Sequence, residues 1–196
     1  MNVVALDNLF PQRGYSLPMP RVCSAMPIPE DGHEFVIPQW LGFLGRHPDQ
    51  EAHEADTIPM TPDNWDKLCN VVASVSPEYY QPDPEGLDIW DLIGPKSRGR
   101  GDCEDIALTR RSILHLQGFP LGAMVPTVCQ LADGTGHLVL RVRTDSGDLI
   151  IDNKTNNILP WEDVPYQWLS SYLTGKQWVR ITSPPLPVGA ASAEAH

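Results

Sequence analysis

A chain of 196 residues, about 41% of them apolar, is long enough to enclose one hydrophobic core. Its formal net charge of −11 excludes the clustered Lys and Arg that a nucleic-acid or anionic-membrane surface requires. No stretch approaches the roughly 18 to 20 consecutive apolar residues of a membrane-spanning helix, so membrane insertion is not expected.

Residues 1–60 read as an extended N-terminal arm packed on the domain. The opening "MNVVALDNLFPQRGYSLPMPR" lacks a basic segment followed by an apolar core, so it is not a signal peptide as it stands. The chain as it reads implies a cytoplasmic location, and a missing presequence would make it periplasmic. From Pro18 to Pro62 proline and polar residues dominate, and a helix is expected only around Trp40 to Leu44, within "FVIPQWLGFLG".

The core is expected over residues 61–182. In "TPDNWDKLCNVVASV" Thr61 is placed to cap a helix, Pro62 suits its first turn, and Trp65, Leu68, Cys69 and Val72 recur at helical spacing. A loop rich in Pro, Asp and Gly follows through "SPEYYQPDPEGLDIWDLIGPKSRGRG", pinned by Tyr79, Tyr80 and Trp90. Asp102 then reads as the N-cap of a second helix with Asp105 in a capping-box position, Ile106, Ala107, Ile113 and Leu114 on its apolar face, and Gly118 and Pro120 as its stop. "AMVPTVCQL", "GHLVLRVRT" and "DLIIDN" are short runs rich in branched residues, separated by Asp-Gly and Ser-Gly turns, which predicts an antiparallel sheet. Residues 183–196 have nothing to bury and read as a disordered tail.

The four cysteines, Cys23, Cys69, Cys103 and Cys129, form no CxxC pair, which argues against a zinc site or a thioredoxin-like motif. Cys103 stands between acids in "GDCED", a place where a thiolate is repelled unless something compensates. A helix N-terminus offers unpaired N–H groups and partial positive charge, and an imidazolium partner would add to it. Of the six histidines, His137 fits best, since it opens a strand after two glycines. His33, His47 and His53 fall in the arm, His115 lies three turns along the same helix, and His196 ends the tail. Asp152, the acid that ends the apolar run "LII", is the natural third member. A two-residue turn at Ser146-Gly147 would pair Arg141 with Asp152 and leave His137 four residues away, too far at roughly 3.4 Å per residue. A triad therefore requires a wider loop or a bulge.

"GRGDCEDIALTRRSILHLQGFP", "GTGHLVLRVRTDSGDLIIDN", the upstream "YYQPDPEGLDIW" and a trailing Trp178 together resemble the bacterial transglutaminase-like cysteine peptidases, the LapG-like family. The resemblance runs from about Trp65 to Ile181. It implies a papain-like, transglutaminase-like α+β fold with the nucleophile helix packed on an antiparallel sheet, Cys103 as nucleophile, His137 as general base and acid, and Asp152 orienting it. It also implies calcium held by Asp102 and Glu104, for which the alternative reading is helix capping and first-turn stabilisation. Two positions depart from the usual family pattern: Ile106 stands where many relatives carry an aromatic residue, and Leu138 where Ala is frequent. The function expected is a cysteine hydrolase, a protease acting on a protein or peptide substrate, whose chemistry needs no cofactor. The competing readings are an acyl transferase with the same triad, and a non-catalytic or calcium-responsive peptide-binding domain. Oligomeric state stays open.

Overall fold

The computed structural model describes residues 17–20, 28–97, 99–155 and 157–182. The expected disordered tail lies outside the described residues. In chain order the elements are β1 (Glu30–Phe35), α1 (Pro38–Arg46), α2 (Pro62–Ser74), α3 (Cys103–Leu116), β2 (Met124–Gln130), β3 (Gly136–Thr144), β4 (Gly147–Ile151), β5 (Ile158–Pro160), β6 (Gln167–Tyr172) and β7 (Trp178–Ile181). The strands form a seven-stranded antiparallel sheet in the order β1-β7-β6-β2-β3-β4-β5. Helix α3 packs on β2 and β3, and α2 packs on α3. The result is an α+β arrangement in which helices pack against one face of an antiparallel sheet.

The helix ends follow from their residues. The Thr61 side chain accepts from the Asn64 N–H at 3.2 Å with Pro62 in the first turn, which starts α2. Gly118 takes φ +95°, a conformation that a side chain resists, and so ends α3. Segment 30–50 belongs to the same core: β1 pairs with β7, Trp40 of α1 is fully buried against Tyr172 and Trp178, and Phe43 stacks on Trp40. α3 is anchored by two buried arginines. Arg110 donates to the Val75 carbonyl through Nε and Nη2, at 3.0 and 2.7 Å. Arg111 donates to the carbonyls of Met124 and Gln50 and lies against the rings of Trp40 and Tyr172.

The alternation of β3 separates the two faces of the sheet. Leu138, Leu140 and Val142 enter the core beneath the helices, while Val139 joins Ile28, Cys129, Ile150, Trp168 and Ile181 on the opposite face. His137 pairs directly with Cys129, so it stands on this second face.

The β3–β4 hairpin corrects the expected register. Thr144 pairs with Gly147, so the two loop residues are Asp145 and Ser146, not Ser146 and Gly147, and Arg141 pairs with Ile150 rather than with Asp152. Thr144 Oγ1 fixes the turn by accepting from the Ser146 N–H at 3.1 Å and donating to the Gly147 carbonyl, while Gly147 takes φ +111°. Extended by one pair, this ladder sets Asp152 opposite Val139, so His137 becomes its diagonal neighbour on the same face. Neither a wider loop nor a bulge is needed.

Candidate active site

Cys103 is the first residue of α3, half-buried, and packs against the main core. His137 is the second residue of β3 and Asp152 follows β4; both are buried. His137 Nε2 lies 2.8 Å from Asp152 Oδ1. Cys103 and His137 line one cleft of about 460 Å³, whose other walls include Pro77, Tyr80, Leu131, Asn153 and Lys154. Of the three residues singled out in the sequence, His137 and Asp152 touch, and Cys103 lines the same cleft as His137. Tyr80, expected to pin its loop, is instead exposed at the cleft. Trp90 is buried.

The capping box read from the sequence does not form. Asp102 occupies the N-cap position, but its side chain makes no cap hydrogen bond, and it accepts instead from the Asp83 N–H at 3.4 Å. Asp105 Oδ1 accepts from the Asp91 N–H at 2.7 Å, turned away from the N-cap toward the loop before the helix. The carboxylates thus serve loop–helix contacts that chain spacing does not reveal.

Electrostatically this corner is acidic and dry. Burial, followed by the neighbouring Asp102 charge, pushes the Glu104 carboxyl up to about 9. Burial lifts Asp105 to about 7 and raises Asp102 as well. The Cys103 thiol is also raised, first by burial and then by Glu104, whose Oε2 accepts its hydrogen bond at 3.1 Å. Burial and the adjacent acid thus outweigh what the helix N-terminus offers the thiolate. Asp152 behaves in the opposite way. Burial disfavours its charge, yet His137, the Tyr166 hydroxyl and the Lys154 N–H together hold it below the usual carboxylate range.

Carboxylate oxygens of Asp83, Asp102 and Glu104 all lie within 4.8 Å of one another, the one such group of potential metal ligands among the described residues. Asp102 Oδ1 is buried there with no hydrogen-bond partner. Asp83 escapes sequence reasoning on spacing alone, although it falls inside the stretch "YYQPDPEGLDIW" that contributes to the family resemblance. Tyr166, the donor to Asp152 Oδ2, gives no signal in the sequence. The described cysteines Cys69, Cys103 and Cys129 are free thiols.

A helix-borne cysteine beside a sheet-borne His–Asp pair, in an α+β fold of this topology, defines the transglutaminase-like class. Within that class, the family model described as bacterial transglutaminase-like cysteine proteinase, BTLCP, matches residues 38–185, and the chain belongs to this family. Three solved structures of Legionella pneumophila LapG are similar. The calcium-bound form is 24% identical, with a TM-score of 0.54, over 66% of this chain and 76% of that one. A second LapG structure is 25% identical, with a TM-score of 0.52, over 62% and 71%. The EGTA-treated form is 25% identical, with a TM-score of 0.53, over 62% and 69%. None of the curated proteins compared with the chain matches it. No helix among the described residues is long and apolar enough to cross a membrane.

Proposed function

We propose that this cysteine peptidase cleaves a peptide or amide bond with Cys103 as nucleophile, His137 as general base and acid, and Asp152 as the residue that orients the imidazole. The observation that carries the reading is the 2.8 Å contact between His137 Nε2 and Asp152 Oδ1 at the wall of the cleft that Cys103 also lines. An ionised carboxylate only accepts, so the proton between them belongs to Nε2, and Nδ1 is left as the base for the thiol. Transfer of the Cys103 thiol proton to Nδ1 gives a thiolate and an imidazolium that keeps Nε2–H on Asp152, and the pair offsets the burial and acidity that hold Cys103 neutral. The thiolate attacks the carbonyl, and N–H groups at the start of α3 stabilise the oxyanion. Imidazolium then protonates the leaving amine, and water releases the acyl group.

Asp83, Asp102 and Glu104 fit a calcium ion: the donors are hard oxygens, they converge, and one buried Asp102 oxygen has no partner. A relative of similar fold, Legionella pneumophila LapG, is described in a calcium-bound form. When bound, calcium would supply positive charge between three converging carboxylates, of which Asp102 and Glu104 are raised by burial.

Iodoacetamide alkylation against pH, with the modified site read by mass spectrometry, tests the Cys–His pair. Selective modification of Cys103 well below pH ~8.5, slowed by His137→Ala, is expected. Ordinary thiol reactivity, unchanged in that variant, rejects it. Incubation with a mixed peptide library then separates hydrolysis from amine transfer by product mass, with Cys103→Ala as the inactive control.

A further inference from the structure

Asp152 is held on both oxygens. Oδ1 takes the His137 Nε2–H at 2.8 Å and the Lys154 N–H at 3.0 Å, and Oδ2 takes the Tyr166 hydroxyl at 2.5 Å. Tyr166 also touches the histidine: the two rings are 5.9 Å apart and nearly perpendicular, at 89°. The tyrosine is itself fixed from two directions. Its N–H donates to the Val164 carbonyl at 2.8 Å, and its ring meets Trp168, which is buried on the second face of the sheet, at 6.0 Å. It immediately precedes β6, whose pairing with β2 shifts register between Val128 and Cys129, and Cys129 is the residue opposite His137. The tyrosine thus approaches the His–Asp pair where the sheet is locally irregular, the kind of place at which a side chain is re-aimed.

We propose that Tyr166 is a positioning residue of this site: it pins Asp152 Oδ2 and stands edge-on to the imidazole, so that His137 keeps Nε2–H on the carboxylate and Nδ1 free for Cys103. The proposal deepens the Cys103–His137–Asp152 reading and rests on it. A carboxylate bonded only through Oδ1 can swing about its last torsion, and an imidazole freed from it can exchange tautomers or flip, either of which removes the base from the thiol. A phenol that merely filled space would be replaced by phenylalanine without effect on the tautomer.

The test uses the full chain labelled with ¹⁵N-histidine, as wild type, Tyr166→Phe and Asp152→Asn. Wild type is expected to show His137 as a single Nε2–H tautomer. Tyr166→Phe should show a mixture of tautomers, and its Cys103 alkylation by iodoacetamide should slow by about 5-fold, the loss of one ordinary hydrogen bond, with the melting temperature little changed. A phenylalanine variant with wild-type tautomer and wild-type alkylation, while Asp152→Asn is slowed, overturns the proposal. If His137→Ala and Asp152→Asn both alkylate like wild type, the underlying triad reading fails instead, and the tautomer signal still judges Tyr166 separately. Should the phenylalanine variant not fold, wild type labelled at tyrosine Cζ decides: the Tyr166 signal is expected to follow the ionisation of His137, and a signal indifferent to it overturns the proposal.

Discussion

His137 meets Asp152 on a diagonal of the β3–β4 pair, and four residues along β3 Arg141 meets Asp148 on the same diagonal and the same face. Arg141 Nε and Nη2 lie 2.9 and 2.8 Å from Asp148 Oδ2, and Nη1 lies 3.2 Å from Glu30 Oε1 of β1. Both members of the second pair are buried. The register that brings imidazole and carboxylate together is therefore also the register that matches a buried cation to its anion. A one-residue slip of β4 against β3 would turn both acids away from the face that carries His137 and Arg141.

Breaking the structural pair should be costly. Arg141→Leu strips the buried Asp148 of its bonded guanidinium, leaving the Ile28 N–H at 3.4 Å and the more distant charge of Arg143 across the ladder, and a loss of about 3–5 kcal/mol is expected from urea unfolding. Arg141→Leu combined with Asp148→Leu removes both charges and should recover most of that loss. If the double variant is as unstable as the single one, packing rather than charge pairing sets the cost.

Glu104 controls the thiol by contact, since its Oε2 accepts the Cys103 hydrogen bond and its charge opposes the thiolate. Glu104→Gln keeps the size of the side chain and removes the charge. Because Glu104 titrates near 9, the comparison is made at pH 10, where it is ionised: in buffer containing EGTA, alkylation of Cys103 is expected to rise several-fold in the variant. Added calcium should raise the wild-type rate in the same way and leave the variant nearly unchanged. A variant no faster than wild type in EGTA would reject the assignment of Glu104 as the thiol's electrostatic brake.

The sequence makes helices α2 and α3 and strands β2 to β4 legible because their signals are local: Thr61 and Pro62, Gly118, and runs of branched residues. Strand β1 is hidden because "EDGHEF" is exposed and charged at the edge of the sheet, so it carries no apolar alternation, and its pairing with β7 is visible only in three dimensions. Register is misread by one residue on each strand because a hydroxyl, Thr144 Oγ1, selects the turn, and a Ser-Gly pair does not announce that. The site divides in the same way. Cys103, His137 and Asp152 each carry a local cue, whereas Asp83 and Tyr166 reach the site from loops 19 and 14 residues away from their hydrogen-bonded partners. The apparent N-cap failed for a related reason: tertiary donors on Asp83 and Asp91 claim the carboxylates that spacing assigns to the helix end.

Gly101 is expected to tolerate no side chain. Its N–H and carbonyl bridge Tyr79 and Gln81, which fixes its backbone, and a Cβ there would stand 2.5 Å from both Cβ and Oδ2 of Asp105. Gly101→Ala must displace either the bridge or the first turn of α3, at a cost of about 1–3 kcal/mol in urea unfolding. Gly136→Ala, at a backbone position likewise outside the left-handed region and with nothing within 4 Å of its Cβ, is the control for adding a methyl group alone. A cost for Gly101→Ala no larger than about 0.5 kcal/mol would show that the bridge gives way freely.

Asp105 makes stability depend on pH in a direction opposite to that of Asp152. Its carboxyl titrates near 7 in the folded chain, chiefly through burial, against 3.8 as the ordinary value. Between those two limits the folded state binds more protons than the unfolded state, so stability is fully present below about pH 4 and falls as pH rises toward 7. Asp152, held below its ordinary value, contributes stability that is present above that value and lost only in strong acid. Asp105→Asn retains an oxygen to accept from the Asp91 N–H and abolishes the ionisation. In EGTA the variant should be more stable than wild type at pH 8, by on the order of 2 kcal/mol, and indistinguishable from it at pH 4. Glu104, titrating near 9, continues the same decline at higher pH in both proteins, so the difference between them should develop between pH 4 and 7 and then stay constant. Melting temperatures across that range give the answer, and parallel wild-type and Asp105→Asn curves would show that Asp105 is ionised throughout and compensated by a neighbour.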